Sequence, residues 1–189
     1  MSLKPAVFLD RDGVLNVYLP GDYVKTPEEL LLVPGAAQAV RKLNDAGLPL
    51  FLISNQQGVA KGIMTQAGLD AVDASLREKL ASEGDAQIGT SYYCPHASSA
   101  SCECRKPRAG MLLQAAREHS IDLAASAFIG DTETDSQAAR AAGVGRFILV
   151  LSGKFAGRPE VADDTARFPI PPDYVAPDLA AAVDWLLAQ

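Results

Sequence analysis

Short apolar runs that end in polar residues, separated by longer stretches of helical period, set the rhythm of this chain. Ala6 to Leu9 is the first run, short enough for a buried strand of a parallel sheet. Residues 17–33 follow as a turn-rich connection with a short helical start at Thr26-Pro27-Glu28-Glu29. Pro34-Gly35 opens a helix with Ala36, Ala39, Val40 and Leu43 on one face and Gly47 at its end. Leu48 to Ile53 reads as a second strand. A long helix then starts after Thr65 as N-cap, carries Leu69, Val72, Leu76 and Leu80 at helical spacing, and stops at Gly84.

The same alternation fills the second half. Residues 87–93 predict a third strand, Gly110 to His119 a helix, Ala127 to Ile129 a fourth strand, Ser136 to Ala142 a small-residue helix and Phe147 to Leu151 a fifth strand. Residues 152–176 are polar and proline-bearing, expected as a surface loop with one short strand near Tyr174-Val175. Asp178 caps a last helix with Leu179, Val183, Leu186 and Leu187. Strand and helix in turn predict an α/β fold: a doubly wound, mainly parallel, Rossmann-like sheet with helices on both faces. The 189 residues suit a single domain over 1–189.

Composition narrows the function. A formal charge of −6 argues against a nucleic-acid partner, whose phosphates need Lys and Arg. No apolar run approaches membrane-spanning length, no basic amphipathic segment suits a membrane surface, and the N-terminus lacks the features of a secretory leader. The expectation is a soluble cytoplasmic protein, with a monomer allowed.

Candidate chemistry sits where strands end. Asp10 and Asp12 directly follow the first strand; in extended chain they point to one side, with Arg11 turned away, and Gly13 lets the backbone turn out. Ser54-Asn55, Arg105-Lys106 and Asp131/Asp135 each follow another predicted strand or its loop. Ligands of such folds sit at the carboxyl ends of strands, so these segments are expected on one rim. Singly they read as ordinary features: an Asp-Gly turn, a helix cap at Ser54-Asn55, a solvated Lys106, capping carboxylates at Asp131 and Asp135. Together they can hold a magnesium ion on carboxylates and a phosphate group on a hydroxyl and an amine, which suits phosphoryl transfer.

The three cysteines are crowded into residues 94–104. With Cys94, His96, Cys102 and Cys104, the spacing C-x-H…C-x-C suits a closed tetrahedral zinc site, structural since protein fills all four positions. Ala97 to Ser101 has no apolar anchor, so metal would order this zinc-stabilised loop and fix the neighbouring Arg105-Lys106.

Phe8-Leu9-Asp10-Arg11-Asp12-Gly13, Ile53-Ser54-Asn55-Gln56, Arg105-Lys106-Pro107 and Gly130-Asp131-x-x-x-Asp135 resemble the four ordered motifs of the haloacid dehalogenase superfamily. Asp-Arg-Asp-Gly, Ser-Asn-Gln-x-Gly and Cys-x-Cys-Arg-Lys-Pro are similar to its heptose-bisphosphate and histidinol-phosphate phosphatase branch, over about residues 6–153. The resemblance implies a Mg2+-dependent phosphomonoesterase acting on a small phosphorylated metabolite. Asp10 would be nucleophile and metal ligand, and Asp12 general acid then base, with its carbonyl on the metal. Asp131 would complete the magnesium site, and Asp135 would orient the loop or a metal-bound water. Ser54 and Asn55 would hold the transferring group, Lys106 would offset charge, and Arg105 would reach toward substrate. The gaps between motifs leave no room for a large cap domain. The expected reaction is removal of the C7 phosphate of a heptose 1,7-bisphosphate, a step of lipopolysaccharide heptose biosynthesis. Thr132 stands where that branch commonly has a basic residue, which keeps histidinol phosphate as the alternative; a non-catalytic zinc-bearing interaction module is the alternative of another class.

Overall fold

A computed structural model describes residues 3–165 and 168–189. Its strands are β1 (Val7–Leu9), β2 (Leu50–Asn55), β3 (Ser91–Cys94), β4 (Ala127–Gly130), β5 (Arg146–Val150) and β6 (Tyr174–Ala176). Its α-helices are α1 (Ala36–Asp45), α2 (Gln66–Gly84), α3 (Gly110–His119), α4 (Glu133–Ala142) and α5 (Leu179–Leu187), with 3-10 turns at Pro27–Glu29 and Pro159–Val161. All six strands pair in parallel, in the order β3-β2-β1-β4-β5-β6. The Rossmann-like, doubly wound sheet expected from the sequence is therefore present.

Alternating side chains divide the core between the two faces of the sheet. Val7 and Leu9 pack with Val40 and Leu43 of α1, Leu76 and Leu80 of α2 and Val183 of α5. Phe8, one residue between them, packs on the opposite face with Met111 and Leu112 of α3 and Ala138 and Ala139 of α4. Thr65 Oγ1 accepts from Gly68 N and Asp178 from Ala181 N, so both expected N-caps hold their helices.

The differences from expectation have local causes. α2 runs through Gly84 and ends on Asp85 in the left-handed region at φ 49°. A Cβ at Gly84 would lie 2.8 Å from the Ala37 backbone, so this glycine serves the close crossing of α1 and α2, not the stop. α4 begins three residues before the predicted Ser136, because Thr132 is its N-cap and Asp135 reaches back to the N-terminal amides. The stretch after β5 is no simple surface loop: Phe155, Val161 and Phe168 are buried in the α3/α4 side of the core.

The topology sets the place of the site. From β1 the chain builds outward through β2 and β3, then returns to β4 on the other side of β1. The carboxyl ends of β1 and β4 thus flank the switch point, where an open parallel sheet leaves a crevice. No helix among the described residues is long and apolar enough to cross a membrane.

Candidate active site

A cleft of about 410 Å³ opens at that switch point. Asp10, Asp12, Ser54, Asn55, Lys106, Asp131 and Asp135 all line it, and Arg105 does not. Lys106 reaches its floor from the loop after β3. Its ammonium lies 3.0 Å from Asp10 Oδ1 and 2.7 Å from Asp135 Oδ1, and it donates to the Ile53 carbonyl at 2.8 Å. Burial works against the charge, but the two carboxylates outweigh it and hold the Lys106 pKa above its ordinary value. Lys106, expected from the sequence to offset charge at the site, is its deep cation, only 3% exposed.

Three carboxylates meet around it. Oxygens of Asp10, Asp131 and Asp135 lie within 4.8 Å of one another. Burial pushes Asp10 up to about 6, against the pull of Lys106 and with help from Asp135 and Asp12. Asp131 is raised well above its ordinary value by burial, Asp10 and Asp135. Asp135 has a different surrounding: its Oδ2 accepts from the amides of Asp131 and Thr132 and from the Thr132 hydroxyl. It caps α4 and fixes the Asp131 loop, so its capping and site roles coincide in one side chain.

Asp10 Oδ1 also accepts from Arg11 N at 2.7 Å, and Asp131 Oδ2 from Lys154 N at 2.8 Å. Among the described residues the second oxygen of each accepts no hydrogen bond, which leaves one free carboxylate oxygen on each. A hard divalent cation fits that donor set. A cation there would also relieve the repulsion that raises both pKa values.

Asp12 is held apart from this cluster. Arg11 does not turn away as the strand pattern suggested: it is fully buried and curls back onto Asp12, with bonds of 3.1 and 3.0 Å from one nitrogen. Asn16 and Gln56 also donate to Asp12, at 2.9 and 2.7 Å. Burial favours the neutral acid, yet Arg11 and these hydrogen bonds together keep Asp12 below the usual carboxylate range. Arg11 in turn lies against the Tyr93 ring, whose hydroxyl donates to Asp73 at 2.6 Å. Alternation within a strand gives side-chain direction only at the Cβ, and a long arginine outside the strand escapes it.

Ser54 is buried, and its hydroxyl accepts from Gln56 at 3.1 Å. Asn55 clasps the Lys106 main chain from both sides, donating to its carbonyl and accepting from its amide, each at 3.0 Å. Arg105 extends to the His96 carbonyl at 3.4 Å instead of into the cleft. The expectation that Arg105 points to substrate is therefore not met in this conformation; short of the cleft, its guanidinium braces the cysteine loop.

In that loop one atom each of Cys94, His96, Cys102 and Cys104 lies within 4.8 Å of all the others. His96 Nδ1 is 3.5 Å from Cys94 Sγ and 3.2 Å from Cys104 Sγ, and Cys94 Sγ is 3.7 Å from Cys102 Sγ. With Cys94 Sγ 3.1 Å from Cys104 Sγ, these separations lie at or somewhat below the edges of the tetrahedron that zinc presents to sulfur and nitrogen ligands, so the four atoms are gathered as one ligand set. Burial and the neighbouring thiols push Cys104 up to about 12, a crowding that a shared cation would reverse.

The comparisons with known proteins agree with this geometry. The HAD-hydrolase-like family model matches residues 103–182. The chain is 42% identical, over 97% of its length and 95% of the relative's, to a D-glycero-D-manno-heptose-1,7-bisphosphate 7-phosphatase of Thermosynechococcus vestitus. It is 37% identical, over 97% and 88%, to the D-glycero-beta-D-manno-heptose-1,7-bisphosphate 7-phosphatase of Escherichia coli K12. The crystal structure of D,D-heptose 1,7-bisphosphate phosphatase from B. bronchiseptica, complexed with magnesium and phosphate, superposes with a TM-score of 0.86 at 34% identity, covering 100% and 99% of the two chains. The chain belongs to the haloacid dehalogenase-like phosphatases.

Members of this phosphatase family use Mg2+, in keeping with the free oxygens of Asp10 and Asp131. Several residues of the phosphatase site escaped sequence reading. Asn16 carries no signal beyond adjacency to a motif, and Gln56, though inside the Ser-Asn-Gln motif, was given no role of its own. Gly153 and Lys154 follow β5, where nothing in the sequence points to a site. A Cβ at Gly153 would fall 2.0 Å from Asp131 Oδ2, and one at Gly13, which sits at φ 86°, would fall 2.5 Å from it. The two glycines are the walls that let Asp131 lie where it does. Gly153→Ala is expected to weaken Mg2+ about tenfold or more, as loss of a ligand's fixed position does; Mg2+ titration of turnover reads it, and an unchanged half-saturating concentration would exclude this role.

Proposed function

We propose that this phosphatase removes the C7 phosphate of D-glycero-D-manno-heptose 1,7-bisphosphate through an aspartyl-phosphate on Asp10. What carries the reaction is the 3.0 Å pairing of Lys106 with Asp10, beside the free oxygens of Asp10 and Asp131. What supports the substrate is 42% identity over nearly the whole of a heptose-bisphosphate phosphatase.

Asp10 Oδ2 attacks phosphorus and the bond from phosphorus to the sugar oxygen breaks. Asp12 hands a proton to that leaving oxygen, then takes one from the water that attacks the aspartyl-phosphate and releases phosphate. Because Arg11, Asn16 and Gln56 keep Asp12 ionised at rest, it takes up its proton from solvent as the negative phosphate group arrives beside it. Lys106 and the Ser54 hydroxyl offset and hold the transferring group, and Asn55 keeps the Lys106 main chain in register with β2. Asp10, Asp131 and the Asp12 carbonyl would hold Mg2+, whose charge would offset that of the phosphoryl oxygens. The chain 1–189 acts as one domain, in the cytoplasm, where its thiols stay reduced.

A structural zinc on Cys94, His96, Cys102 and Cys104 orders the loop that delivers Lys106. Removing it, or Cys104→Ser, is expected to cut kcat/KM about tenfold or more while the sheet stays folded, because Cys104 is two residues from Lys106. Turnover and circular dichroism before and after chelation check it; unchanged kinetics in a metal-free loop would defeat it. The substrate is tested by a screen of heptose bisphosphate, histidinol phosphate and simple phosphomonoesters with Mg2+. Release of the C7 phosphate alone is the expected result, and preference for histidinol phosphate would reverse the assignment.

A further inference from the structure

A sugar bisphosphate presents two phosphates, and the chemistry described so far consumes the site's deep cation on one of them. Lys106 is buried and already neutralised by Asp10 and Asp135. The second phosphate, separated by the sugar's carbon chain, must rest nearer the mouth. Two further cations line the cleft there, Lys61 and Lys154. Arg105 is engaged on the His96 carbonyl, and Thr132 offers only a hydroxyl already spent on Asp135.

The two lysines differ in their surroundings. Lys154 is paired with Glu133 at 2.9 Å, which offsets its charge. Lys61 has no carboxylate within ion-pair distance among the described residues. Its ammonium donates to the Tyr23 hydroxyl at 3.2 Å and lies 5.5 Å above that ring. Because the Tyr23 oxygen accepts from Lys61, its own proton stays available to a ligand. The ring packs on Gly58, so close that a Cβ there would be 3.2 Å from Cγ. An uncompensated cation and a hydroxyl donor are thus fixed together at the cleft mouth of a protein with net charge −6.

We infer that Lys61 and Tyr23 hold the non-reacting phosphate and so select a bisphosphate over a monophosphate. The inference rests on the sugar-bisphosphate reading above. Its test compares kcat/KM for heptose 1,7-bisphosphate with that for the 7-monophosphate of the same sugar. The ratio should fall about tenfold in Lys61→Ala, the size of a lost charge-assisted contact, fall less in Tyr23→Phe, and persist in Lys61→Arg. Added salt should lower the wild-type ratio and leave that of Lys61→Ala unmoved. A ratio retained in Lys61→Ala, or lowered more by Lys154→Ala, overturns the inference and leaves the substrate reading standing. A wild-type enzyme that does not favour the bisphosphate overturns the substrate reading itself.

Discussion

Asp10→Asn gives a folded protein that turns phosphate esters over at least about a thousandfold more slowly than the wild type, the scale of losing a nucleophile. An amide cannot form the acyl phosphate, and it also removes one of the two free carboxylate oxygens facing the cation site. Stability moves the other way. In metal-free protein Asp10 is pushed up to about 6, against 3.8 for an ordinary aspartate, by burial first and by Asp135 and Asp12 after it. Between those two values the folded protein binds more protons than the unfolded one, so stability falls as pH rises through that window. Asn removes the Asp10 share of this fall. With a chelator at neutral pH the variant should therefore melt above the wild type, and Mg2+ should stabilise the wild type far more than the variant. Thermal midpoints with and without Mg2+ across this range read both effects. A variant that melts lower at neutral pH without metal would show that repulsion among the acids is not what the cation relieves.

Lys106→Met loses in both respects. The methionine can still fill the space beside Phe128, above whose ring the ammonium lies at 5.5 Å. It leaves Asp10, Asp131 and Asp135 without their shared counter-charge, however, and unpairing a buried charge typically costs about 3–5 kcal/mol. Turnover should drop at least about a hundredfold, as when a fixed charge aimed at a transferring group is removed. Mg2+ should return part of the stability without returning the activity, since it neutralises the carboxylates but supplies no amine. Denaturant midpoints and kcat, each with and without Mg2+, are the measurements. Equal metal-free stability of Lys106→Met and wild type would mean that the three acids do not depend on the lysine.

Much of the fold was legible because burial leaves a period in the sequence. The apolar faces of α1 and α2 were read residue by residue, and Val40, Leu43, Leu69, Val72, Leu76 and Leu80 are all buried. The first, second and fourth strands emerged as apolar runs because a parallel sheet covered on both faces needs no polar alternation. Misreadings fell where one residue type serves two purposes. Gly84 looked like a stop and is a helix-crossing contact; the stretch after β5 looked polar and still contributes Phe155, Val161 and Phe168 to the core. Asp135 looked like either a cap or a site residue and is a cap that holds the site.

The sequence by itself determined the alternating α/β order, the placing of Asp10, Asp12, Asp131 and Lys106 at strand ends, and the four-ligand spacing of the cysteine loop. Those are properties of neighbours along the chain, where period and spacing carry the information. The tertiary structure alone decided which groups neutralise which: Lys106 between Asp10 and Asp135, Arg11 folded back onto Asp12, Asn55 on the Lys106 main chain, Lys61 beside Tyr23. It also gave Gly153 its purpose, bordering the contact between Lys154 and Asp131, which lie 23 residues apart in the chain. The physical reason is that charge and close approach act through space over a few ångströms, whereas a sequence records only the order in which their owners are strung.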